Sequence, residues 1–299
     1  MRIPAATLHP GCKVNLVLRV LGRRPDGYHD LDTLFWPLAS PADTLAITPG
    51  DKGNGVRLAS DDPALAGEDN LVAKACRAFS QAAGVDLDME VRLTKRIPIG
   101  AGLGGGSSDG AAMLSFLNQH AGDKALARGE LAEVARSLGA DMPFFLLGRP
   151  AWAQGTGERL TPLSDAELGM ARGLHLVLLC PPVHVSTAWA YRELDHAREA
   201  GQAAHPAGQA LTAQNGGDIR FVSCRFLVLG NDFESVVFPA HQAIRELKEH
   251  LLRQGAGGAL MSGSGASVFG LFRDAAAANR AAQGAAAVVR DTAAYVCAL

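Results

Sequence analysis

Alternating apolar and polar positions predict several strands along the chain. From Cys12 to Leu21, the side chains of Val14, Leu16, Leu18 and Val20 fall on one face, and those of Lys13, Asn15 and Arg19 fall on the other. Residues 89–94 alternate in the same way, which is typical of an antiparallel sheet with one face in water. Two further strands are predicted at residues 43–48 and 174–179, and the second is apolar enough to be buried.

Helical periodicity alternates with these strands. A helix is predicted to begin at Asp69 or Asn70, to bury Leu71, Val72, Ala75 and Phe79, and to end at Gly84. Other helices are predicted at residues 130–138, at 240–254 with an inner stripe of Ile244, Leu247, Leu251 and Leu252, and at 275–289. Residues 196–217 are rich in Ala, Gly and Gln and are predicted to form a mobile loop. The length of the chain favours two domains, and the second is predicted to begin near Thr161.

Residues 97–117 contain the most informative stretch. Six glycines fall in the eleven positions from Gly100 to Gly110, so the backbone there adopts conformations closed to other residues or allows another molecule to come close. Ser107 or Ser108 is predicted to cap a helix that buries Met113, Leu114, Phe116 and Leu117. The amide groups and the positive end of that helix would favour an anion, so we interpret this stretch as a phosphate-binding loop.

Three nucleotide-binding motifs fit this loop poorly. The dinucleotide fingerprint requires a buried parallel strand before it and an acidic residue about 20 positions later, but Asp123 lies in a turn. A P-loop would end in Gly-Lys-Ser/Thr, whereas here the glycines run into Ser107-Ser108. The strand and catalytic loop of protein kinases are also absent from the sequence. A flexible glycine linker stays open as an alternative.

The bulk composition excludes several classes of function. Of the 299 residues, 48% are hydrophobic and 19% are charged, which is typical of a globular protein, and the net charge of −2 does not indicate binding to nucleic acid or to a membrane surface. The five cysteines include no Cys-x-x-Cys pair, and the nine histidines show no metal-ligand spacing. We therefore expect a cytoplasmic protein, without a signal peptide and without an apolar run of about 18 residues.

Five polar residues have ordinary structural explanations. Lys13 and Asn15 fit the solvated face of a strand. The turn Pro25-Asp26-Gly27 would leave Tyr28 and His29 exposed at the rim of a hairpin. Asp141 fits an N-cap, with Pro143 in the first helical turn.

A family resemblance changes how these positions are interpreted. The glycine-rich loop, defined here as residues 98–108, resembles the second signature of the GHMP small-molecule kinases, which bind ATP through a loop that is not a Walker motif. Residues 11–16 resemble the first signature, with Gly11 and Cys12 as departures, and residues 261–269 resemble the third. The resemblance implies an α+β fold with an ATP-binding domain at 1–157 and a substrate domain at 158–299 around a cleft. It assigns ATP binding to Pro98, Ile99, Gly100, Ala101, Gly102, Leu103, Gly104, Gly105, Gly106, Ser107, Ser108, Asn70 and Lys95.

The segment from Gly22 to His29, followed by Leu34-Phe35, is similar to the branch of this family that phosphorylates diphosphocytidyl-methylerythritol. This similarity implies that Tyr28 stacks on cytosine, that His29 hydrogen-bonds it, and that Asn15 also binds the substrate. ATP would phosphorylate the 2-hydroxyl, a step of the non-mevalonate isoprenoid route.

In this reaction Asp141 would be the catalytic base, Lys13 would stabilise the developing alkoxide, and Mg²⁺ would accompany ATP. Asp109 would repel the phosphates, so it must face away from them or act through a cation. The alternatives are a GHMP kinase with another alcohol substrate and a non-catalytic nucleotide-binding protein.

Overall fold

The computed structural model describes residues 1, 3–169, 171–203 and 229–299. They form two compact units: unit 1 comprises residues 1–12, 41–99 and 104–149, and unit 2 comprises residues 13–40, 100–103 and 150–299. The expected domain boundary after Gly157 stays a prediction. The two compact units have other boundaries than these domains, because strands from the first 40 residues share a sheet with a strand that follows residue 150.

The described chain contains both strands and helices, with five strands before the first α-helix. The strands are β1 (Ala6–Leu8), β2 (Cys12–Arg23), β3 (His29–Leu38), β4 (Thr44–Pro49), β5 (Val56–Ser60), β6 (Met89–Thr94), β7 (Ala151–Gly155), β8 (Arg159–Pro162), β9 (His175–Cys180), β10 (Gly230–Asn231), β11 (Gly258–Met261), β12 (Val268–Phe272) and β13 (Ala293–Ala298). The helices are α1 (Leu71–Ala83), α2 (Gly105–Gln119), α3 (Arg128–Leu138), α4 (Met142–Leu147), α5 (Asp165–Gly169), α6 (Thr187–Glu199), α7 (Glu234–Ala240), α8 (Gln242–Arg253) and α9 (Ala275–Val288). No helix in the described part of the chain is long and apolar enough to cross a membrane.

Unit 1 is a four-stranded sheet that shares a core with α1 and α2. The strand order is β1-β4-β6-β5, and β6 pairs antiparallel with β4 but parallel with β5. The antiparallel pairing that the alternation indicated is found with β4, whereas the pairing with β5 makes the sheet mixed. The alternation itself was interpreted correctly, because Met89, Val91 and Leu93 are buried while Glu90 and Arg92 are exposed. The sheet presents this apolar face to the inner faces of the two helices.

The two helices of this core begin in different ways. Asn70 caps α1, since its Oδ1 accepts a hydrogen bond from the Val72 amide at 2.8 Å, and Gly84 ends the helix in the left-handed conformation. Both ends were predicted. The predicted capping of α2 by Ser107 or Ser108 is wrong. That helix begins at Gly105, after Gly104 has taken a left-handed φ of 70°, so both serines lie inside its first turn.

Unit 2 contains two sheets, with strand orders β10-β2-β3-β7-β8 and β11-β12-β9-β13. Strand β9 lies between β12 and β13 and is buried, as its apolar sequence predicted. The main core combines this strand with β2, α7, α8 and α9. Helix α9 agrees with the prediction, whereas β13 was not predicted from the sequence.

Two sequence predictions in unit 2 need correction. The helix expected at 240–254 is α8, which begins at Gln242 because His241 separates it from the preceding helix α7. Leu252 is 45% exposed and does not belong to the inner stripe, whereas Ile244, Leu247 and Leu251 do. The loop expected at 196–217 is helical as far as Glu199, and its residues from 204 onward lie outside the described residues.

Candidate active site

The first half of the glycine-rich loop is fixed to the framework of unit 2. The Lys13 amide donates to the Leu103 carbonyl at 3.0 Å, and the Ser267 amide donates to the Ala101 carbonyl at 3.2 Å. Gly102, with a φ of 76°, lies so close to residue 262 that a Cβ would come 2.2 Å from the Ser262 carbonyl oxygen. Only glycine fits this position, because both the conformation and the space exclude a side chain.

The polar residues of β2 lie in the interior of unit 2. Lys13 is 4% exposed and Asn15 is 2% exposed, so the interpretation of these residues as a solvated face was wrong. The Lys13 Nζ donates to Asn15 Oδ1 at 2.7 Å and to the Gly102 carbonyl at 2.9 Å. Strand β2 is buried on both faces from Cys12 to Leu18. An ammonium in such a place requires acceptors, and these two hydrogen bonds provide them.

The second half of the glycine-rich loop forms the first turn of α2 in unit 1. The Ser108 amide is the first to bond within the helix, to the Gly104 carbonyl at 2.9 Å. The amides of Gly105, Gly106 and Ser107 therefore have no acceptor inside the helix, and they lie at its positive end. A Cβ on Gly106 would have one heavy-atom neighbour within 4 Å among the described residues, Leu71 Cδ1 at 3.7 Å. Free amides at the positive end of a helix are able to bind an anion such as a phosphate.

A buried ionic cluster of Asp43, Lys95 and Asp109 lies beside this turn. The Lys95 Nζ donates to Asp109 Oδ2 at 2.8 Å and also to Asp43 Oδ2. Asp43 Oδ1 accepts hydrogen bonds from the Arg96 and Ile97 amides, which anchors the chain just before the glycine-rich loop. Asp109 therefore pairs with a protein cation, one of the two possibilities left by the sequence.

The ionic cluster shifts the pKa of two of its members. Burial of Asp109, opposed in part by the charge of Lys95 and reinforced by that of Asp43, raises its pKa to about 7. Burial acts to lower the pKa of Lys95, but the carboxylates of Asp109 and Asp43 outweigh it and raise that pKa. Among the described residues, Asp109 Oδ1 has no hydrogen-bond partner, which is consistent with a carboxyl group that holds its proton readily.

Asp141 lies at the start of α4, which packs on α2 within unit 1. A Cβ on Gly110 of α2 would come 2.9 Å from Met142 Cε, and a Cβ on Gly139 would lie 3.8 Å from Ser107 Oγ. The segment carrying Asp141 is therefore adjacent to the first turn of α2. Within the described residues, no hydrogen bond from the Asp141 side chain caps α4. Asp141 thus occupies the N-cap position without the side-chain capping expected there.

A pocket in unit 2 surrounds the Tyr-His segment. It has a volume of about 690 Å³, and its lining includes Tyr28, His29, Tyr191 and Asp195. The Tyr28 side chain is exposed (67%), whereas that of His29 is 8% exposed. His29 stacks on Tyr191, with ring centroids 4.4 Å apart. Its Nε2 lies 3.0 Å from both Asp195 oxygens, and because a carboxylate only accepts, Nε2 is the donor. The expectation of two exposed rim residues therefore holds for Tyr28 but is wrong for His29.

The structure brings the expected site residues together in groups. Lys13 contacts the Gly100–Leu103 half of the loop in unit 2, and Asn15 hydrogen-bonds Lys13. Lys95 and Asp141 lie near the Gly104–Ser108 half in unit 1. The side chain of Asn70 is engaged in capping α1 and in a bond to the Leu65 carbonyl. Pro98 is half-buried and Ile99 is 59% exposed.

Sequence reasoning missed several partners of these residues, namely Thr33, Asp43, Tyr191 and Asp195. None of them belongs to a recognisable motif, and they are far along the chain from the residues they contact. In the described part of the chain, no group of three or more His, Cys, Asp or Glu residues could hold a metal ion.

Comparisons with known proteins agree with this geometry. Residues 70–149 match the N-terminal domain of GHMP kinases, and residues 211–291 match their C-terminal domain. The 4-diphosphocytidyl-2-C-methyl-D-erythritol kinase of Solidesulfovibrio magneticus is 50% identical over 88% of this chain and 86% of its own. The enzyme of that name from Oleidesulfovibrio alaskensis is 42% identical over 94% and 95%. A crystal structure of 4-(cytidine 5'-diphospho)-2C-methyl-D-erythritol kinase superposes with a TM-score of 0.75, at 34% identity, and covers 98% of both chains.

Proposed function

The chain belongs to the GHMP kinase family, and from this membership we propose that it transfers a phosphoryl group from ATP to the 2-hydroxyl of 4-diphosphocytidyl-2-C-methyl-D-erythritol. This reaction is a step of the non-mevalonate isoprenoid pathway. The pocket formed by Tyr28, His29, Tyr191 and Asp195 is the observation that carries the substrate assignment, because it offers an exposed aromatic face beside a hydrogen-bonding imidazole. Such a combination suits a nucleobase.

ATP is assigned to the glycine-rich loop. The amides of Gly105, Gly106 and Ser107 would bind the phosphates, supported by the helix dipole and by the open space at Gly106. Lys95 would act on this site indirectly, since its ammonium already binds Asp43 and Asp109. The side chain of Asn70 would shape the site as the cap of α1.

Lys13 and Asp141 would carry the chemical step. Asp141 would accept the proton of the attacking hydroxyl, and the Lys13 ammonium would stabilise negative charge developing on that oxygen. Asn15 would act beside Lys13, since its Oδ1 orients the ammonium. The positions of the two residues support these roles. Lys13 contacts the glycine-rich loop at Gly102, and the segment that carries Asp141 lies against the first turn of α2.

Mg²⁺ is proposed to enter with the nucleotide. The described residues offer no cage of protein ligands, so the ion would be held mainly by phosphate oxygens and water, as is common for Mg²⁺ in phosphoryl transfer. When bound, it neutralises phosphate charge. Asp109 is not assigned as its ligand, because that carboxyl is buried against Lys95.

The cytidine diphosphate moiety would occupy the pocket of unit 2. Tyr28 would stack on the base and His29 would hydrogen-bond it, through Nδ1 because Nε2 is engaged with Asp195. Arg23 and Arg192 also line the pocket and would attract the diphosphate.

We also place the protein in the cytoplasm, since the four cysteines that the structure describes are free thiols, as in a reducing compartment.

A coupled assay of ATP consumption tests this function. We expect ADP formation with the cytidylated methylerythritol and not with homoserine or mevalonate, and a phosphorylated product in the same amount as the ADP. Turnover with another alcohol alone would identify a different kinase of the family. Binding of ATP without turnover on any alcohol would indicate a nucleotide-binding protein and would refute the proposal.

A further inference from the structure

A directed chain of hydrogen bonds begins at Lys13 and ends inside the sheet of unit 2. The Lys13 Nζ donates to Asn15 Oδ1 at 2.7 Å, and Asn15 Nδ2 donates to Thr33 Oγ1 at 2.8 Å. The Thr33 hydroxyl then donates to the Val17 carbonyl at 2.6 Å. Lys13 and Asn15 lie on β2, Thr33 lies on the adjacent strand β3, and Thr33 is fully buried.

The polarity of this chain allows one arrangement. An ammonium has only donors, so Asn15 must turn its oxygen toward Lys13 and its NH₂ group toward Thr33. The NH₂ group has only donors as well, so the Thr33 oxygen must accept, and its single proton goes to the Val17 carbonyl. A flipped Asn15 amide would bring two donors to 2.7 Å of each other.

We propose that Thr33 is a positioning residue for phosphoryl transfer: its buried hydroxyl fixes the orientation of the Asn15 amide, and this amide holds the Lys13 ammonium at the Gly102 carbonyl. The inference rests on the proposed catalytic role of Lys13. Thr33 is fully buried, so it would act through Lys13 and not by direct contact with a substrate.

Ser262 secures the other end of the same arrangement. Its hydroxyl accepts from the backbone N–H of Asn15 at 3.3 Å and donates to the Gly102 carbonyl at 3.1 Å. The Gly102 carbonyl therefore receives hydrogen bonds from both Lys13 and Ser262. The position of the ammonium is thus determined by two side chains of the interior and by the backbone of the glycine-rich loop.

The test replaces Thr33 by Val, which keeps the shape and removes the acceptor. The Asn15 NH₂ group is then buried without a partner, the amide can rotate, and Lys13 loses its fixed acceptor. We expect kcat to fall about tenfold to a hundredfold, with the Michaelis constants for ATP and for the alcohol changed less than about twofold. Thr33→Ser keeps the hydroxyl and should restore kcat to within about threefold of the wild type.

Two comparisons separate positioning from a general loss of stability. Thr292 is also buried, and its hydroxyl donates to the Val289 carbonyl at 2.7 Å, so Thr292→Val removes a similar hydroxyl and should leave kcat unchanged. In a Lys13→Met background, Thr33→Val should lower kcat no further, because the group through which it acts is gone. An equal loss of kcat in both backgrounds would overturn the proposal, as would a Thr33→Val enzyme with wild-type kcat.

Two further measures keep the test decisive. Thr33→Cys has a similar volume and a much weaker acceptor, so it replaces the Val variant if that variant does not fold. All ratios are measured with whichever alcohol the wild-type enzyme phosphorylates. A wrong substrate assignment would therefore appear in the wild-type assay, whereas a wrong role for Thr33 would appear in the variants.

Discussion

At the scale of single residues, a substitution at Asp141 distinguishes a catalytic role of this side chain from a structural one. Asp141→Asn keeps the size of the side chain but removes a base that works at neutral pH, so turnover should fall by about 10²- to 10⁴-fold. The melting temperature should stay near that of the wild type, because asparagine keeps the shape of the side chain and most of its ability to form hydrogen bonds. Turnover and thermal unfolding are measured on the same preparation.

A matched control is Asp274, which caps α9 by accepting from the Ala276 amide at 2.8 Å. Asp274→Asn makes the same chemical change at a position outside the proposed site. It should keep both activity and stability, since asparagine caps about as well as aspartate. If Asp141→Asn behaved like this control, Asp141 would have no part in proton transfer.

The raised pKa of Asp109 leads to a prediction about how the stability of the protein depends on pH. Its pKa of about 7 in the folded protein lies above its ordinary value of 3.8, so between these values the folded state binds a proton that the unfolded state does not. The free energy of unfolding contributed by Asp109 is therefore fully present below about pH 4 and is lost as the pH rises to about 7.

Asp109→Asn cannot titrate and should remove this dependence. Urea denaturation at pH 5, 6, 7 and 8 should show the wild type losing stability relative to the variant as the pH rises, by a few kcal/mol at most. A constant difference across this range would mean that the Asp109 carboxyl stays ionised beside Lys95.

The residues that carry the proposed chemistry could be identified from the sequence, but their surroundings could not. The alternation in β2 shows that Lys13 and Asn15 share a face, and it does not show that this face is covered. Their burial depends on tertiary packing on both faces of the strand. Thr33, Tyr191 and Asp195 are common residue types whose roles arise only from contacts between distant segments of the chain.

At the scale of elements, two glycines of the glycine-rich loop should respond differently to the same small change. Gly106→Ala adds a methyl group in the first turn of α2, where it meets only Leu71 at 3.7 Å among the described residues, and alanine also favours the helix. The variant should melt at or above the wild-type temperature. If phosphates bind against these amides, its ATP affinity measured by calorimetry should fall about tenfold or more.

Gly102→Ala is the comparison within the same loop. Its Cβ would collide with the Ser262 carbonyl at a φ of 76°, so this variant should lose stability as well as activity. A Gly106→Ala protein with wild-type affinity for ATP would remove the first turn of α2 from the phosphate site, whatever the result at Gly102.

The elements themselves were predicted where local sequence decides them. Asn70 and Gly84 mark the ends of α1 by chemistry that needs no tertiary partner. The start of α2 was placed too late because Gly104 replaces a polar cap by a left-handed turn. The parallel pairing of β5 with β6 was missed, since partner and direction are decided by contacts outside the strand.

At the scale of the whole molecule, the two units do not follow the order of the chain. Strands β2 and β3 lie within the first 40 residues but share a sheet with β7, more than 100 residues later. The glycine-rich loop is divided between the units at residues 103 and 104. The sequence pattern shows the face of each strand and not its partner. A division into an N-terminal and a C-terminal part was therefore the simplest prediction available, and the pairing of β3 with β7 makes the compact units different.

From this division we predict that the binding of each substrate can be weakened without affecting the binding of the other. The pocket around Tyr28 and His29 belongs entirely to unit 2, whereas Asn70, Lys95 and the first turn of α2 belong to unit 1. Tyr28→Ala removes an exposed aromatic face that supports little else, so the fold should be kept. Stacking of a base on such a ring is worth about 1 to 3 kcal/mol, so the Michaelis constant for the cytidylated alcohol should rise about five- to a hundredfold. That for ATP should change less than about twofold.

The reciprocal variant and a control complete this prediction. Gly106→Ala in unit 1 should weaken the binding of ATP and leave the affinity for the cytidylated alcohol near the wild-type value. Leu252→Ala truncates another exposed apolar side chain of unit 2 that does not line the pocket, and it should change neither constant. Calorimetric titration of each ligand into each variant gives the full set of affinities without relying on turnover. If Tyr28→Ala lowered the affinity for ATP as much as that for the alcohol, the pocket of unit 2 would not be a separate site for the base, and the assignment of cytosine to Tyr28 would be wrong.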